Sequence, residues 1–458
     1  MRRFTCYITG LLLICTACNK QLDLKPEGTL IEADLLKNRQ TAESFLADTY
    51  LRMMSACASN AYLLGDITGD VASTADQALI KGDIDPRDRN YDRLWSEPYT
   101  TINQANVVIT KLALYADFDK NIQQQLIGEA KFIRAFCHLT LLQMYGDGAL
   151  QGSMQQQGIP LMLASFDGYD GSQNKARSTN GEVYTQILQD LEEAIAVLPE
   201  KRANPVDQGG RATKGAAAAL AARVCLYARN YPKAAAYASR VLNSNVYTLS
   251  PSFIALWPDH TVGGTKYPIG AEFIFAFPES FNATSNYGHN HGIVYALGYY
   301  KPLPGFLTTY EAKDERLLYT KNGTVVPKFT DPNIRDNVSM LRLAEVMLTL
   351  AEAQAQTAGV NPVSVELLNK VYSRAWTENP VPHVYTVADF TDKQQLIDRI
   401  LLERKRELAF EGFARFDAIR YGRQPNPQLP PARFALPVPQ HEIDITAGLI
   451  KQNPGYIK

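Results

Sequence analysis

Glu403, Glu407 and Glu411 stand four residues apart near the end of the chain, and carboxylates repeated at that spacing fall on one face of a helix. A glycoside hydrolase needs two carboxyls flanking the bond it breaks, one of them with a raised pKa. Here Arg404, Arg406 and Arg415 are interleaved with the series, and nearby guanidinium groups keep carboxylates ionised. Ion pairing between helices is therefore the expected role. Arg342, Glu345 and Glu352 are expected to form a polar seam of the same kind.

A second group has the chemistry of recognition. Tyr287, Tyr295, Tyr299 and Tyr300 lie among Asn282, Asn286, Asn290 and His289. Sugar rings offer apolar C–H faces on which aromatic rings stack with few rotors to freeze. Asn, Asp and Arg match the hydroxyl rims as donors and acceptors. The stretch from Asp66 to Trp95 is expected to add Asp66, Asp70, Asn90, Tyr91 and Arg93 to the same face. Any one of these rings serves equally well as a satellite core with its polar tip outward; the region as a whole is read as binding. Trp95 opens a helix and is assigned to packing.

His289 and His291 sit two apart in Gly288-His-Asn-His-Gly, but a metal site needs further ligands, so a surface loop is expected. Gly209-Gly-Arg-Ala-Thr-Lys lacks the spacing of a phosphate loop, and no Gly-x-Ser-x-Gly or His-Glu-x-x-His appears. No catalytic residue, metal or cofactor is expected.

The N-terminus carries a different chemistry. Arg2 and Arg3 precede an apolar run from Tyr7 to Ile14, then small Thr16-Ala17, then Cys18. This is the layout of a bacterial lipoprotein leader, with residues 1–17 removed and the Cys18 thiol acylated. Residues 18–36, polar and holding Pro26, read as the tether. Of the remaining cysteines, Cys57, Cys137 and Cys225 form no close pair in sequence and are expected to be buried, inert thiols.

The elements that must position these groups are helical. The chain of 458 residues is 46% hydrophobic with a net charge of −1, enough for a core and without the field that nucleic acid would attract. Past the leader no run approaches the ~18 apolar residues of a membrane span. Helical spacing marks Thr41 to Ala56, Trp95 to Leu114, Gln123 to Met144, and a segment from Asn180 that ends before Pro199. Ala216 to Ala228 and Lys233 to Leu242 form a helix pair, with small Ala222 and Ala234 where such helices cross closely. Ser339 to Thr357 and Pro362 to Trp376 read as another pair. Lys393 to Tyr421 reads as a long closing helix, or one kinked near Gly412. Residues 58–94, 246–335 and the end from Pro425 lack sustained period, and Glu272-Phe-Ile-Phe-Ala-Phe is a β-type run. Long irregular stretches of this kind carry function or structure of their own. The fold class is mainly α, a scaffold of tetratricopeptide-like helix pairs with an inserted loop-rich subdomain containing short strands. Its regions are 37–245, with the loop 58–94, then 246–335 as the candidate ligand face, then 336–458.

Several blocks, in order, resemble the SusD/RagB family of outer-membrane nutrient-binding lipoproteins. They are Cys18 with Leu22-Asp-Leu-Lys-Pro-Glu-Gly, Trp95…Tyr99…Ile102…Asn106, Gly128-Glu-Ala-Lys-Phe-Ile-Arg-Ala-Phe, Tyr145-Gly-Asp, Glu182-Val-Tyr…Ile187…Asp190-Leu, Gly210-Arg-Ala-Thr-Lys-Gly, Arg342-Leu-Ala-Glu, Glu403-Arg-Lys-Arg-Glu-Leu-Ala-Phe-Glu-Gly and Gln452-Asn-Pro-Gly-Tyr. Gly148-Ala149 departs from the family's usual Val-Pro, and Thr446-Ala447 replaces an Asn often seen there. The resemblance implies four tetratricopeptide-like pairs, a ligand face on the irregular portion, lipid anchorage at the cell exterior, and a TonB-dependent SusC-like transporter as partner. The expected function is capture of a nutrient, an oligosaccharide or glycan, and its delivery to that transporter, without catalysis. A helical-repeat scaffold for peptide or protein is the alternative, and a glycan-processing hydrolase the remaining one.

Overall fold

The computed structural model describes residues 32–256, 269–278, 298, 300–318, 328–329, 337–376 and 384–456, and for 59–63 the backbone alone. The leader and Cys18 lie outside these residues. The structure is mainly helical. Helix α1 spans Arg39–Met53, α2 Arg93–Tyr115, α3 Lys120–Tyr145, α4 Asn180–Val197, α5 Lys214–Tyr227 and α6 Tyr231–Asn243. In the C-terminal part α7 spans Leu343–Ala358, α8 Pro362–Ser373, α9 Lys393–Glu407 and α10 Ala414–Arg420. Among the described residues no helix is long and apolar enough to cross a membrane.

The sequence explains where these helices start. Asp119 caps α3 by accepting the Asn121 and Ile122 amides, and Thr179 with Glu182 closes a reciprocal capping box on α4. Pro232 and Pro362 stand in the first turns of α6 and α8, where a missing N–H costs nothing. Helix α5 is alanine-rich and buried on every side, and Ala222 meets no penalty where α6 brings Ala234 into the core.

Buried ion pairs tie the helices together, and they involve the very residues that carried the family resemblance. Arg134 of α3 makes a two-pronged bond to Asp190 of α4 at 2.8 and 2.6 Å, and donates to Asn106 of α2 at 2.8 Å. Asn106 in turn donates to the carbonyls of Met162 and Ala164. Glu129 accepts from Tyr50 and Arg211, and Arg223 grips Glu345 across to α7. At the end of the chain Asn453 donates to Tyr145 O at 2.9 Å, docking the C-terminus on the end of α3.

One expectation is corrected. Ser339 is not helical: Val338–Arg342 is a strand, β2, paired antiparallel with β1, Phe273–Phe277. The β-type run at Glu272 is thus a strand, with its partner from the segment read as helix. Every residue of both strands is buried, so no polar alternation marked β2. Of the two readings of Lys393 to Tyr421, the one broken near Gly412 holds. The backbone turns at Phe410 (φ 64°) and Gly412 (φ 81°) before α10 begins.

Candidate functional site

The site begins where the short helix Leu63–Ile67 packs on the turn after α9. A Cβ on Gly65 would lie 2.0 Å from Gly412 O, so the two backbones touch directly. Asp66 is buried, and its carboxylate accepts the Gly412 amide at 3.1 Å. That bond uses Asp66 to hold the turn. Asp70, half-buried, follows in a left-handed conformation, φ 59°.

From there the chain meets a segment more than two hundred residues away. Ser73 N donates to Lys301 O at 2.8 Å and Leu303 N to Val71 O at 2.9 Å, with Ala72 opposite Pro302. Tyr300 packs, half-buried, against the small apolar cluster that includes Ile67, Val71 and Phe306. Of the two stretches expected to share a face, Val71–Ser73 thus meets Lys301–Leu303, directly after Tyr300. Asn282, Asn286, Tyr287, His289, Asn290, Tyr295 and Tyr299 lie outside the described residues, as does the His291 loop. Among the described residues no group of acidic, His and Cys side chains has the arrangement of a metal site.

Beyond Ser73 the short helix Gln77–Lys81, capped by Asp76, leads into a turn at Gly82. Tyr91 is half-buried and donates its hydroxyl to Asp76 at 2.7 Å. Asn90 and Arg93 are exposed. Trp95 is buried, 4.8 Å from the Tyr145 ring, and serves packing as expected.

The C-terminal stretch completes this face. Asn426 donates to Thr68 O at 2.9 Å, Arg433 to Gly82 O at 3.0 Å, and Gln440 N to Pro86 O at 2.8 Å. Between the two stretches lies a cleft of about 440 Å³ lined by Asp83, Asp85, Arg87, Arg433, Gln440 and Tyr456. Arg433 lies over the Tyr456 ring at 4.4 Å. Arg87 and Asp85 bond through both prongs at 3.0 and 2.8 Å, and that bond holds the Asp85 carboxyl below its ordinary value. The cleft thus offers fixed donors and acceptors side by side, suited to a hydroxyl-rich ligand. Arg433 and Gln440 were not among the residues singled out, and Tyr456 stood only in the closing Gln452-Asn-Pro-Gly-Tyr block; the sequence signal for the first two was the loss of helical period after Pro425.

The carboxylate series is elsewhere and closed. Glu407 accepts from Arg342 and Arg374 at 2.6 Å each and from Arg316 at 3.2 Å. Glu403 accepts from Arg316 at 2.7 Å and from Arg399 at 3.0 Å. Glu411 accepts from Arg342 at 2.8 Å, from Ser339 at 3.1 Å and from Lys328. All of these carboxylates are buried. Burial alone would raise the Glu407 carboxyl; Arg374, Arg342 and Arg316 overcome it and hold the group well below the usual carboxylate range. A general acid needs the opposite shift.

Residues 21–226 match a family model described as starch-binding, associating with the outer membrane, and residues 310–429 match the model of the SusD family. A SusD-like protein of Formosa agariphila is 25% identical over 100% of both chains. A SusD superfamily protein of Bacteroides vulgatus superposes with a TM-score of 0.77 at 24% identity, over 92% of this chain and 100% of that one. A laminarin-binding SusD-like protein superposes with a TM-score of 0.71 at 24% identity, over the same shares.

Proposed function

The chain belongs to the SusD/RagB family, and from that premise we propose that it is a surface lipoprotein of the outer membrane. It binds an oligosaccharide and hands it to a TonB-dependent, SusC-like transporter. The observation that carries this reading is the antiparallel contact of Val71–Ser73 with Lys301–Leu303. It joins Lys301–Leu303, the residues directly after Tyr300, to Val71–Ser73, the residues directly after Asp70. The adjacent cleft extends that face with Arg87, Arg433 and Gln440. Rings stack on sugar faces while amides and guanidinium groups take the hydroxyls. A shallow platform of this kind gives modest affinity and quick release, which suits transfer into a pore. The function is binding without bond cleavage: the regular carboxylate series is locked in ion pairs that oppose acid catalysis. Attachment is through acylated Cys18.

Calorimetry tests the platform, with laminarin oligosaccharides as the first probe because a structural neighbour binds laminarin. Alanine at Tyr287, Tyr295, Tyr299 or Tyr300 is expected to weaken binding about tenfold where the ring stacks, roughly 1.4 kcal/mol. Thermal stability should stay nearly unchanged for Tyr287, Tyr295 and Tyr299. Tyr300→Ala should also lower Tm slightly, because that ring packs against the apolar cluster that includes Ile67 and Val71. Unchanged affinity in all four variants, with a ligand that the parent chain binds, would place the site elsewhere. Metabolic labelling with a fatty acid should mark the parent and spare Cys18→Ala.

A further inference from the structure

Cys57 and Cys137 are eighty residues apart in sequence, yet their sulfur atoms lie 3.7 Å apart in the core. Both are fully buried. Cys137 sits in the buried C-terminal half of α3. Cys57 sits in the π-helical stretch Met54–Tyr62, which continues α1 and runs directly into Leu63–Ile67 at the base of the candidate site. Single-turn π segments are uncommon and recur near functional sites. Cys225, the third described cysteine, is also buried and free.

We propose that Cys57 and Cys137 form a disulfide in the mature, exported protein, and that it fastens the base of the ligand-binding segment to α3. The inference rests on the export reading, because cytosolic thiols stay reduced while exported chains meet oxidants. At 3.7 Å the sulfurs are in van der Waals contact. Reaching a bond of about 2.05 Å needs each to move roughly 0.8 Å, within the reach of a side-chain rotation and a small shift of backbone. The two thiols lose two protons and two electrons to a disulfide-bearing oxidant, which leaves as its dithiol; a thiolate of one cysteine attacks the oxidant, and the second cysteine resolves the mixed disulfide. Oxidation precedes final burial, because neither sulfur is reachable in the folded chain.

The test uses the full protein extracted in detergent from the outer-membrane fraction, acid-quenched, alkylated with iodoacetamide under denaturing conditions and weighed. Of the three described cysteines, one is expected to be alkylated without reductant, namely Cys225, and all three after reduction. Weighed before alkylation, the unreduced chain should be lighter than the reduced one by about 2 Da, the two hydrogens lost. Cys57→Ser should free Cys137 and give two alkylated cysteines without reductant. Reduction of the parent should lower Tm by about 5 °C, as expected for releasing a long closed loop. Three alkylated cysteines without reductant, on a chain that has lost its leader, overturns the disulfide and leaves the export reading intact. A chain that keeps its leader, with Cys6, Cys15 and Cys18 also alkylated, overturns the export reading itself.

Discussion

Glu407→Gln should destabilise the protein by about 3–5 kcal/mol and sharply reduce the yield of folded chain. The substitution preserves volume and removes one charge. That charge is shared by Arg342, Arg374 and Arg316, all of them buried. Desolvating an ion costs several kcal/mol, and a buried pair survives only when the attraction and hydrogen bonding repay it. Without the Glu407 carboxylate, Arg374 keeps Glu272, Arg342 keeps Glu272 and Glu411, and Arg316 keeps Asp314 and Glu403. Three guanidinium groups then converge on a neutral amide. The network joins α9 to β1, β2 and the end of α8, so its failure loosens the whole C-terminal half. Chemical denaturation with both circular dichroism and fluorescence measures the effect. A loss below about 1 kcal/mol would show that the arginines rearrange around the amide and that the network is not a structural keystone.

That network, together with the Arg404–Asp417–Arg420 group, sets the response to acid. Burial opposes ionisation of Glu407, Glu411 and Asp417, but Arg342, Arg374, Arg404 and Arg420 prevail and hold all of these carboxyls below their ordinary values. A carboxyl whose folded pKa is depressed contributes stability that is present above its unfolded pKa, about 4, and is lost as pH falls through the folded value. Stability should therefore be flat from neutral pH down to about pH 5 and fall steeply below about pH 4. In Glu407→Gln that acid slope should be shallower, since one of the linked protons is gone. An unaltered slope in the variant would contradict the assignment.

How much of this was legible follows from the range over which each interaction acts. The ties Arg134–Asp190–Asn106 and Glu403–Arg316 left charged residues at core positions of otherwise apolar helices, and a buried charge needs a partner. Such residues announce themselves, which is why the scaffold and the non-catalytic reading of the carboxylates were available early. Strand β2 was hidden because its five residues are all buried and run without a break into α7, and buried strands and buried helices show no distinguishing alternation. The αL conformation of Phe410 has no local signature; it lies in the turn whose Gly412 meets the backbone of Gly65, far upstream in the sequence. The cleft was invisible for the same reason: Arg433 and Tyr456 meet Asp83 and Arg87 only through tertiary packing.

That long-range contact makes the second large prediction. Gly65→Ala should destabilise by about 3 kcal/mol and weaken ligand binding as well. The added Cβ would lie 2.0 Å from Gly412 O and 2.5 Å from its carbonyl carbon, backbone atoms that no rotamer change can move. To restore an ordinary contact the two segments must separate by more than an ångström. Gly69 gives no slack, because a Cβ there would already lie 2.6 Å from Arg415 N and 2.3 Å from Gly65 O. Separation breaks the Asp66 bond to the Gly412 amide and shifts Val71–Ser73, the strand-like contact that positions Tyr300. Stability and affinity should therefore fall together, unlike in the tyrosine variants. Gly305→Ala is the control, with an exposed backbone and open space around the new methyl group. If Gly65→Ala matches that control in both denaturation and calorimetry, the close backbone packing is not what holds the site in place.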